Sequence, residues 1–177
     1  MKAIIKIEAG NQSQECVSWM LIYRDAIIYW MNKSNFVINS VSQITGPGIN
    51  VTAGYQIECS GNDLSKLKSE IGVHRLVRVS PFDRQKRRHT SFIIVSGELD
   101  GAVIEGNPGG TVCKGVEGKK HPVVSNAIRS YVLNPYKLVK DHRTGYTEPD
   151  VDSVFAGNFD GFMGDFCLYE IEQRPMY

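Results

Sequence analysis

The sequence predicts an α+β protein in which a mixed, largely antiparallel sheet carries packed helices. Three observations predict it. Residues Ala3 to Glu8 alternate apolar and polar side chains, the period of a half-buried strand. From Ser13 to about Asn32 the spacing changes to that of an amphipathic helix. Arg75 to Val79 and Thr90 to Val95 return to alternation on either side of a short polar loop, as an antiparallel pair does.

In chain order, the isoleucines at 5 and 7 share one face of the first strand, which ends at Gly10-Asn11. Ser13 is the expected N-cap, and Val17, Met20, Leu21, Ile27, Ile28 and Met31 recur at helical spacing behind it. Trp19 and Trp30 are read as core. Phe36 to Ser42 and Tyr55 to Ser60 are two further strands, joined through Gly46-Pro47-Gly48. Asn62 to Glu70 reads as a short helix closed by Gly72. Pro81 belongs in the loop, because proline cannot donate to a sheet ladder. Ser96 to Gly118 holds seven glycines with little periodicity and reads as a connector. Ile128 to Leu133 and Lys137 to Lys140 are short strands. Val151 to Ala156 and Phe159 to Tyr169 are helices, with Phe162, Phe166 and Tyr169 toward the core.

Composition allows one compact unit. With 177 residues, 42% hydrophobic and 22% charged, the chain can bury a core and lacks the composition of disorder. The cysteines Cys16, Cys59, Cys113 and Cys167 are scattered with no C-x-x-C pair, so neither a zinc site nor a redox motif is expected, and no cofactor. No apolar run reaches 18 residues, and the first residues alternate like a strand, so neither a membrane anchor nor a signal peptide is expected.

A net charge of +1 gives no global attraction to nucleic acid, but the charge is uneven. Between His74 and His89 lie six Lys/Arg residues and one acid, Asp83, whereas the stretch from Glu148 onward is acidic. Within the basic segment, Ser80-Pro81-Phe82 precedes the cations and His89-Thr90 follows them. Cations for phosphates, flat rings for stacking and short hydroxyls for base edges are what binding of unpaired RNA bases requires.

Two long segments carry a resemblance. Gly72-Val73-His74-Arg75-Leu76-Val77-Arg78, Ser80-Pro81-Phe82-Asp83 and Arg87-Arg88-His89-Thr90-Ser91-Phe92 resemble the codon-recognition segment of bacterial peptide chain release factor 2. Ile128-Arg129-Ser130-Tyr131-Val132-Leu133 and Val139-Lys140-Asp141-His142-Arg143-Thr144 resemble that family's C-terminal domain. The resemblance implies a codon-recognition part over residues 1–98, a Gly-rich connector over 99–124, and a C-terminal part over 125–177 packed on the first as one superdomain. The family hydrolyses peptidyl-tRNA with a Gly-Gly-Gln motif on a domain between the two matches. No Gly-Gly-Gln occurs in this sequence, and Gly109-Gly110-Thr111 lacks the glutamine. The family's N-terminal helical domain is also unmatched.

By the resemblance, Ser80 hydrogen-bonds the second, purine base of a stop codon, and His89 stacks between the second and third bases. Thr90 meets the third base, with Val77 shaping the same pocket, and Pro81 counts among the codon-binding residues. Phe82 either contacts a base or anchors the loop in the core. A hydroxyl both donates and accepts, so serine tolerates A or G, the basis for reading UAA and UGA. The first base falls to the tip of the short helix, here Gly61-Asn62-Asp63-Leu64-Ser65. Arg75, Arg78, Arg84, Lys86, Arg87 and Arg88 are the phosphate candidates, although Arg75 and Arg78, placed on one strand face, could pair with acids inside the superdomain.

The implied partners are the small-subunit decoding site of the ribosome and the mRNA stop codon, in competition with release factor 2 and without a membrane. The place of action is the cytoplasm of a bacterium or an organelle matrix, and the small size suits a phage-borne decoy. The expected function is non-catalytic: occupation of stop codons (UGA, UAA) without peptide release. The alternative is binding of mRNA away from the ribosome, which gives no reason to retain Ser80-Pro81-Phe82 and His89-Thr90. An enzyme of another kind has only Cys113 and His121 as a nucleophile and base, each flanked by glycines and better read as unrelated residues.

Overall fold

The structure, a computed structural model, describes residues 1–48, 51–104 and 127–173. Its strands are β1 (Lys2–Ala9), β2 (Val37–Thr45), β3 (Thr52–Ser60), β4 (Gly72–Val79), β5 (Arg88–Leu99), β6 (Ala102–Ile104), β7 (Arg129–Val132), β8 (Leu138–Asp141) and β9 (Thr147–Glu148). Its helices are α1 (Gln14–Lys33), α2 (Val151–Phe155) and α3 (Asp160–Glu172), with a 3₁₀ helix at Leu64–Glu70. The strands form one sheet in the order β2-β3-β1-β5-β4-β7-β8-β9, with β6 paired to β5. Every pairing is antiparallel except β4 with β7, so the α+β expectation holds.

The alternation read in β1 is the alternation observed. Ala3, Ile5 and Ile7 are buried under α1, and the residues between them turn to the other face. Ser13 caps α1 as expected, its Oγ accepting from the Cys16 N–H at 3.2 Å. The buried stripe of α1 is Cys16, Trp19, Met20, Tyr23, Ala26, Ile27, Trp30 and Met31, with Val17, Leu21 and Ile28 at its margins. Trp19 and Trp30 are fully buried, as core residues. Burying the stripe's larger apolar side chains stabilises the fold by about 1.5–3 kcal/mol each. All three α-helices meet on this face of the sheet: Trp19 contacts Phe155 of α2, Tyr23 contacts Phe159 at the start of α3, and the Arg129 guanidinium of β7 stacks on Phe162 of α3. Phe162 and Phe166 are buried, and Tyr169 is half-buried.

Gly72 stands where the sequence placed it, just past Ile71, the C-cap of the 3₁₀ helix Leu64–Glu70. It opens β4 at φ 144°, where a Cβ would stand 2.7 Å from Ile128 Cγ2. The connector read from Ser96 begins as strand, because β5 runs to Leu99 and turns back into β6. The turn is Asp100-Gly101, both at positive φ (48° and 83°), the sequence that such a hairpin favours. The rest of the connector, with Gly109-Gly110-Thr111, Cys113 and His121, lies outside the described residues.

The two matched segments are joined by more than the sheet. Arg129, fully buried on β7, donates to Glu70 Oε2 at 2.8 Å and to Asp141 Oδ2 at 3.2 Å. Arg143 adds a second bond to Asp141 Oδ2 at 2.7 Å and donates to the Ser69 carbonyl at 2.6 Å. Burial pulls the Glu70 carboxyl upward, but Arg129, together with His74 and the Tyr23 and Ser69 hydroxyls, holds the group below its ordinary value. His74 is also fully buried here, with Nε2 against the Glu70 carbonyl at 2.8 Å and Nδ1 3.3 Å from the Tyr131 hydroxyl. Both contacts suit a neutral ring donating from Nε2 and accepting at Nδ1. Burial accordingly depresses its pKa to about 4. His74, first in the basic run by sequence, is a core residue.

Candidate nucleic-acid interface

Strands β4 and β5 are paired from Gly72↔Val95 to Val79↔Arg88, so residues 80–87 form the loop at one end of the ladder. The Ser80 N–H donates to the Arg87 carbonyl at 3.2 Å and closes it. Asp83 organises the interior. Its Oδ1 accepts from the Gln85 N–H at 2.9 Å, and its Oδ2 accepts from Arg87 Nε at 2.7 Å and lies 2.8 Å from His89 Nε2. Those hydrogen bonds, Arg87 first and then His89, hold the Asp83 carboxyl well below the usual carboxylate range. The single acid among the six cations therefore shapes the loop.

The start of α1 stands beside this loop. The Gly10 N–H donates to the Phe92 carbonyl at 2.8 Å, and a Cβ on Gly10 would lie 2.7 Å from that oxygen, so glycine permits the close approach. Ser13 then caps the helix and turns Glu15 inward. Glu15 Oε2 accepts from Ser80 Oγ at 2.8 Å, and Oε1 accepts from Arg78 Nε at 2.6 Å. Arg78 Nη2 also reaches Ser18 Oγ at 3.0 Å. Burial raises the Glu15 carboxyl, and the Arg78 and Ser80 bonds outweigh it and keep the group ionised. Between the loop and the helix start lies an open cavity of about 720 Å³. Asn11, Ser13, Gln14 and Glu15 line one side, and Ser80, Phe82, Asp83, Arg84, Arg87 and His89 the other.

The structure brings most of the expected base-contacting residues together. Ser80, Phe82, His89 and Thr90 all line this cavity, and Pro81 is exposed at the turn beside it. Ser80 is only 4% exposed, and its hydroxyl, donating to Glu15, also accepts from the Phe82 N–H at 3.2 Å. Phe82 is 51% exposed, so it does not anchor the loop in the core. Val77 is the outlier: half-buried, paired in register with Thr90, it does not line the cavity.

The cations divide. Arg84, Lys86 and Arg88 are exposed and make no ion pair among the described residues, whereas Arg87 is tied to Asp83. Arg75 and Arg78 do not share a strand face. Three residues apart on a strand, they point to opposite sides, Arg78 to Glu15 and Arg75 to Ser130 Oγ at 3.1 Å.

The expectation for the first base also changes. Gly61 to Ser65 precedes the 3₁₀ helix, next to the Gly72 end of β4, whereas the loop leaves from Val79. That separates the two by roughly 23 Å of strand. The helix beside the loop is α1, and its first residues occupy the place given to the short helix. Glu15 was missed because nothing within its own helix distinguishes it from an ordinary first-turn acid; its partners lie more than 60 residues away.

Residues 1–95 match the PCRF domain. The chain belongs to that family. It is 27% identical to peptide chain release factor 2 of Kosmotoga olearia, covering 94% of this chain and 64% of the relative. It is 29% identical to the Roseobacter denitrificans protein of the same name, covering 90% and 61%. The chain thus spans less than two thirds of these release factors, and the Kosmotoga alignment runs over 237 residues, more than this chain possesses. Its fold is that of RF2 of Thermus thermophilus, with a TM-score of 0.75 at 24% identity over 98% of this chain and 69% of the other. No described helix is long and apolar enough to cross a membrane. Among the described residues no group of three or more His, Cys, Asp or Glu could hold a metal ion.

Proposed function

We propose that this chain reads stop codons at the ribosomal decoding site without releasing the peptide, and so competes with release factor 2. One observation carries the reading. The end of the β4–β5 hairpin, with Ser80 and Phe82 in the loop and His89 and Thr90 on β5, is folded against α1 around an open cavity, while the sequence contains no Gly-Gly-Gln.

The cavity offers the chemistry such a task needs. Phe82 presents an exposed ring for stacking at the cavity that Arg84 also lines. Asp83 holds the half-exposed His89 ring at the cavity wall. At the second base, Ser80 and Glu15 act as a unit. The Ser80 hydroxyl turns from Glu15 to a base edge, and the carboxylate it leaves accepts an amino or imino N–H, which adenine and guanine both provide. Arg78 keeps that carboxylate ionised. Both purines are accepted at this position, as UAA and UGA require.

The test is binding of the purified protein to ribosomes programmed with UGA, UAA, UAG or a sense codon, with peptide release followed in the same samples. The expected result is preference for UGA and UAA with no release, and loss of that preference in Ser80→Ala and His89→Ala. Equal affinity of both variants and the wild type for every codon removes codon reading, and binding to RNA oligonucleotides but not to ribosomes places the activity on free RNA. Peptide release would refute the non-catalytic part.

A further inference from the structure

A row of side chains crosses the sheet on the face turned away from α1. Strand register aligns Phe92 of β5 with Arg75 of β4, Arg75 with Ser130 of β7, Ser130 with Lys140 of β8, and Lys140 with Thr147 of β9. Neighbouring strands are about 4.8 Å apart, and side chains directly opposite one another interact. The centre of the row is basic. Arg75 Nε donates to the buried Ser130 hydroxyl at 3.1 Å, and that oxygen lies 2.7 Å from His142 Nε2. Lys140 of β8 is opposite Ser130, and His142 follows the end of that strand, near enough for the Lys140 charge to act on it.

Arg75 and His142 thus meet at one hydroxyl, with Lys140 opposite it in register. Among the described residues no carboxylate pairs with either Arg75 or Lys140; the adjacent Asp141 points to the opposite face, toward Arg129 and Arg143. Burial, followed by the positive charges of Arg75 and Lys140, lowers the His142 pKa. Like charges held together without a counter-charge favour an anion. The adjacent row, two residues along the strands, is Thr90, Val77, Val132 and Leu138. The basic cluster therefore lies roughly 7 Å further along the strands than Thr90 and one to three strands across from it, on the face where Thr90 points.

We propose that Arg75, Lys140, His142 and Ser130 form a site for an RNA phosphodiester, engaging the strand as it leaves the cavity past Thr90. The site holds the backbone and not a base, so it acts on every sequence alike. It rests on the RNA-binding part of the function proposed above, not on codon choice. It also explains why Val77 stands outside the cavity: Val77 is the apolar floor between Thr90 and Arg75.

The test uses the intact chain, with single-stranded RNA carrying UGA or a sense codon and with ribosomes programmed with the same messages. Arg75→Gln with Lys140→Gln, the first at a half-buried position and the second at an exposed one, is expected to weaken binding of both RNAs equally. It is also expected to reduce the slope of log affinity against log salt by about 1.4, two charges at about 0.7 each for single strands. A slope unchanged on both the oligonucleotides and the ribosomes overturns the site. On the wild type, RNA is expected to raise the His142 pKa followed by NMR, and an unmoved titration overturns it as well. A wild type without codon preference whose slope still falls in the double variant keeps this site and removes codon reading. A reduced slope on ribosomes but not on the oligonucleotides assigns the phosphate to ribosomal RNA.

Discussion

Replacing Glu15 tests whether the loop is held to α1 as described. Glu15→Ala removes two charge-assisted hydrogen bonds that the carboxylate accepts, from Arg78 Nε at 2.6 Å and from Ser80 Oγ at 2.8 Å. The side chains of Glu15 and Arg78 are 9% and 15% exposed, so water replaces only part of what is lost. Hydrogen bonds to charged groups contribute about 1.5–3 kcal/mol each, and partial rehydration of Arg78 brings the expected loss to about 2–4 kcal/mol. Glu15→Gln keeps an oxygen for Ser80 and removes the charge beside Arg78, so about half that loss is expected. Urea unfolding measures both, read as a shift of midpoint at constant slope. The pH dependence has a definite sign. Because the folded Glu15 pKa lies below its ordinary 4.5, its stabilisation is present above that value and disappears as pH falls through the folded pKa. The gap between wild type and Glu15→Gln should therefore narrow under acid. Two variants within about 0.5 kcal/mol of the wild type, a difference typical of surface positions, would refute the pairing.

Two further outcomes concern the core beneath the loop. His74, at about 4 in the folded protein against 6.5 ordinarily, binds its proton more readily when unfolded, so stability should fall by up to about 3 kcal/mol as pH drops from 6.5 to 4. Urea midpoints across that range check it, and His74→Gln, which abolishes the titration, should flatten the dependence; an identical curve in the variant would remove the assignment. Arg129→Met leaves the buried Glu70 and Asp141 short of their shared cation, and a loss of about 3–5 kcal/mol is expected. A loss below about 1 kcal/mol in chemical denaturation would show that Arg143 alone balances both carboxylates.

The parts of the fold that were legible rest on interactions within about a dozen residues. The alternation of β1, the Ser13 cap and the strand pair around Ser80-Pro81-Phe82 all carry their signal locally. The β5–β6 hairpin was equally legible, since Asp100-Gly101 is a hairpin turn sequence, but the surrounding glycines led to its being read as connector. Phe82 shows the limit of composition: a phenylalanine beside a proline can anchor a loop or crown it, and the surrounding charges do not distinguish the two.

The sequence by itself determined all the strands but β6 and β9, the capped helix, and the hairpin that carries Ser80 and Phe82 in its loop and His89 and Thr90 on β5. The tertiary structure alone decided which residues meet. Glu15 and Ser80 are 65 positions apart, Arg129 and Glu70 are 59 apart, and Arg75 and Ser130 are 55 apart. Each meeting depends on strand order, on the parallel register of β4 with β7, and on which face α1 covers. Periodicity states that a residue points to one of two faces; only the assembled sheet states what is waiting there.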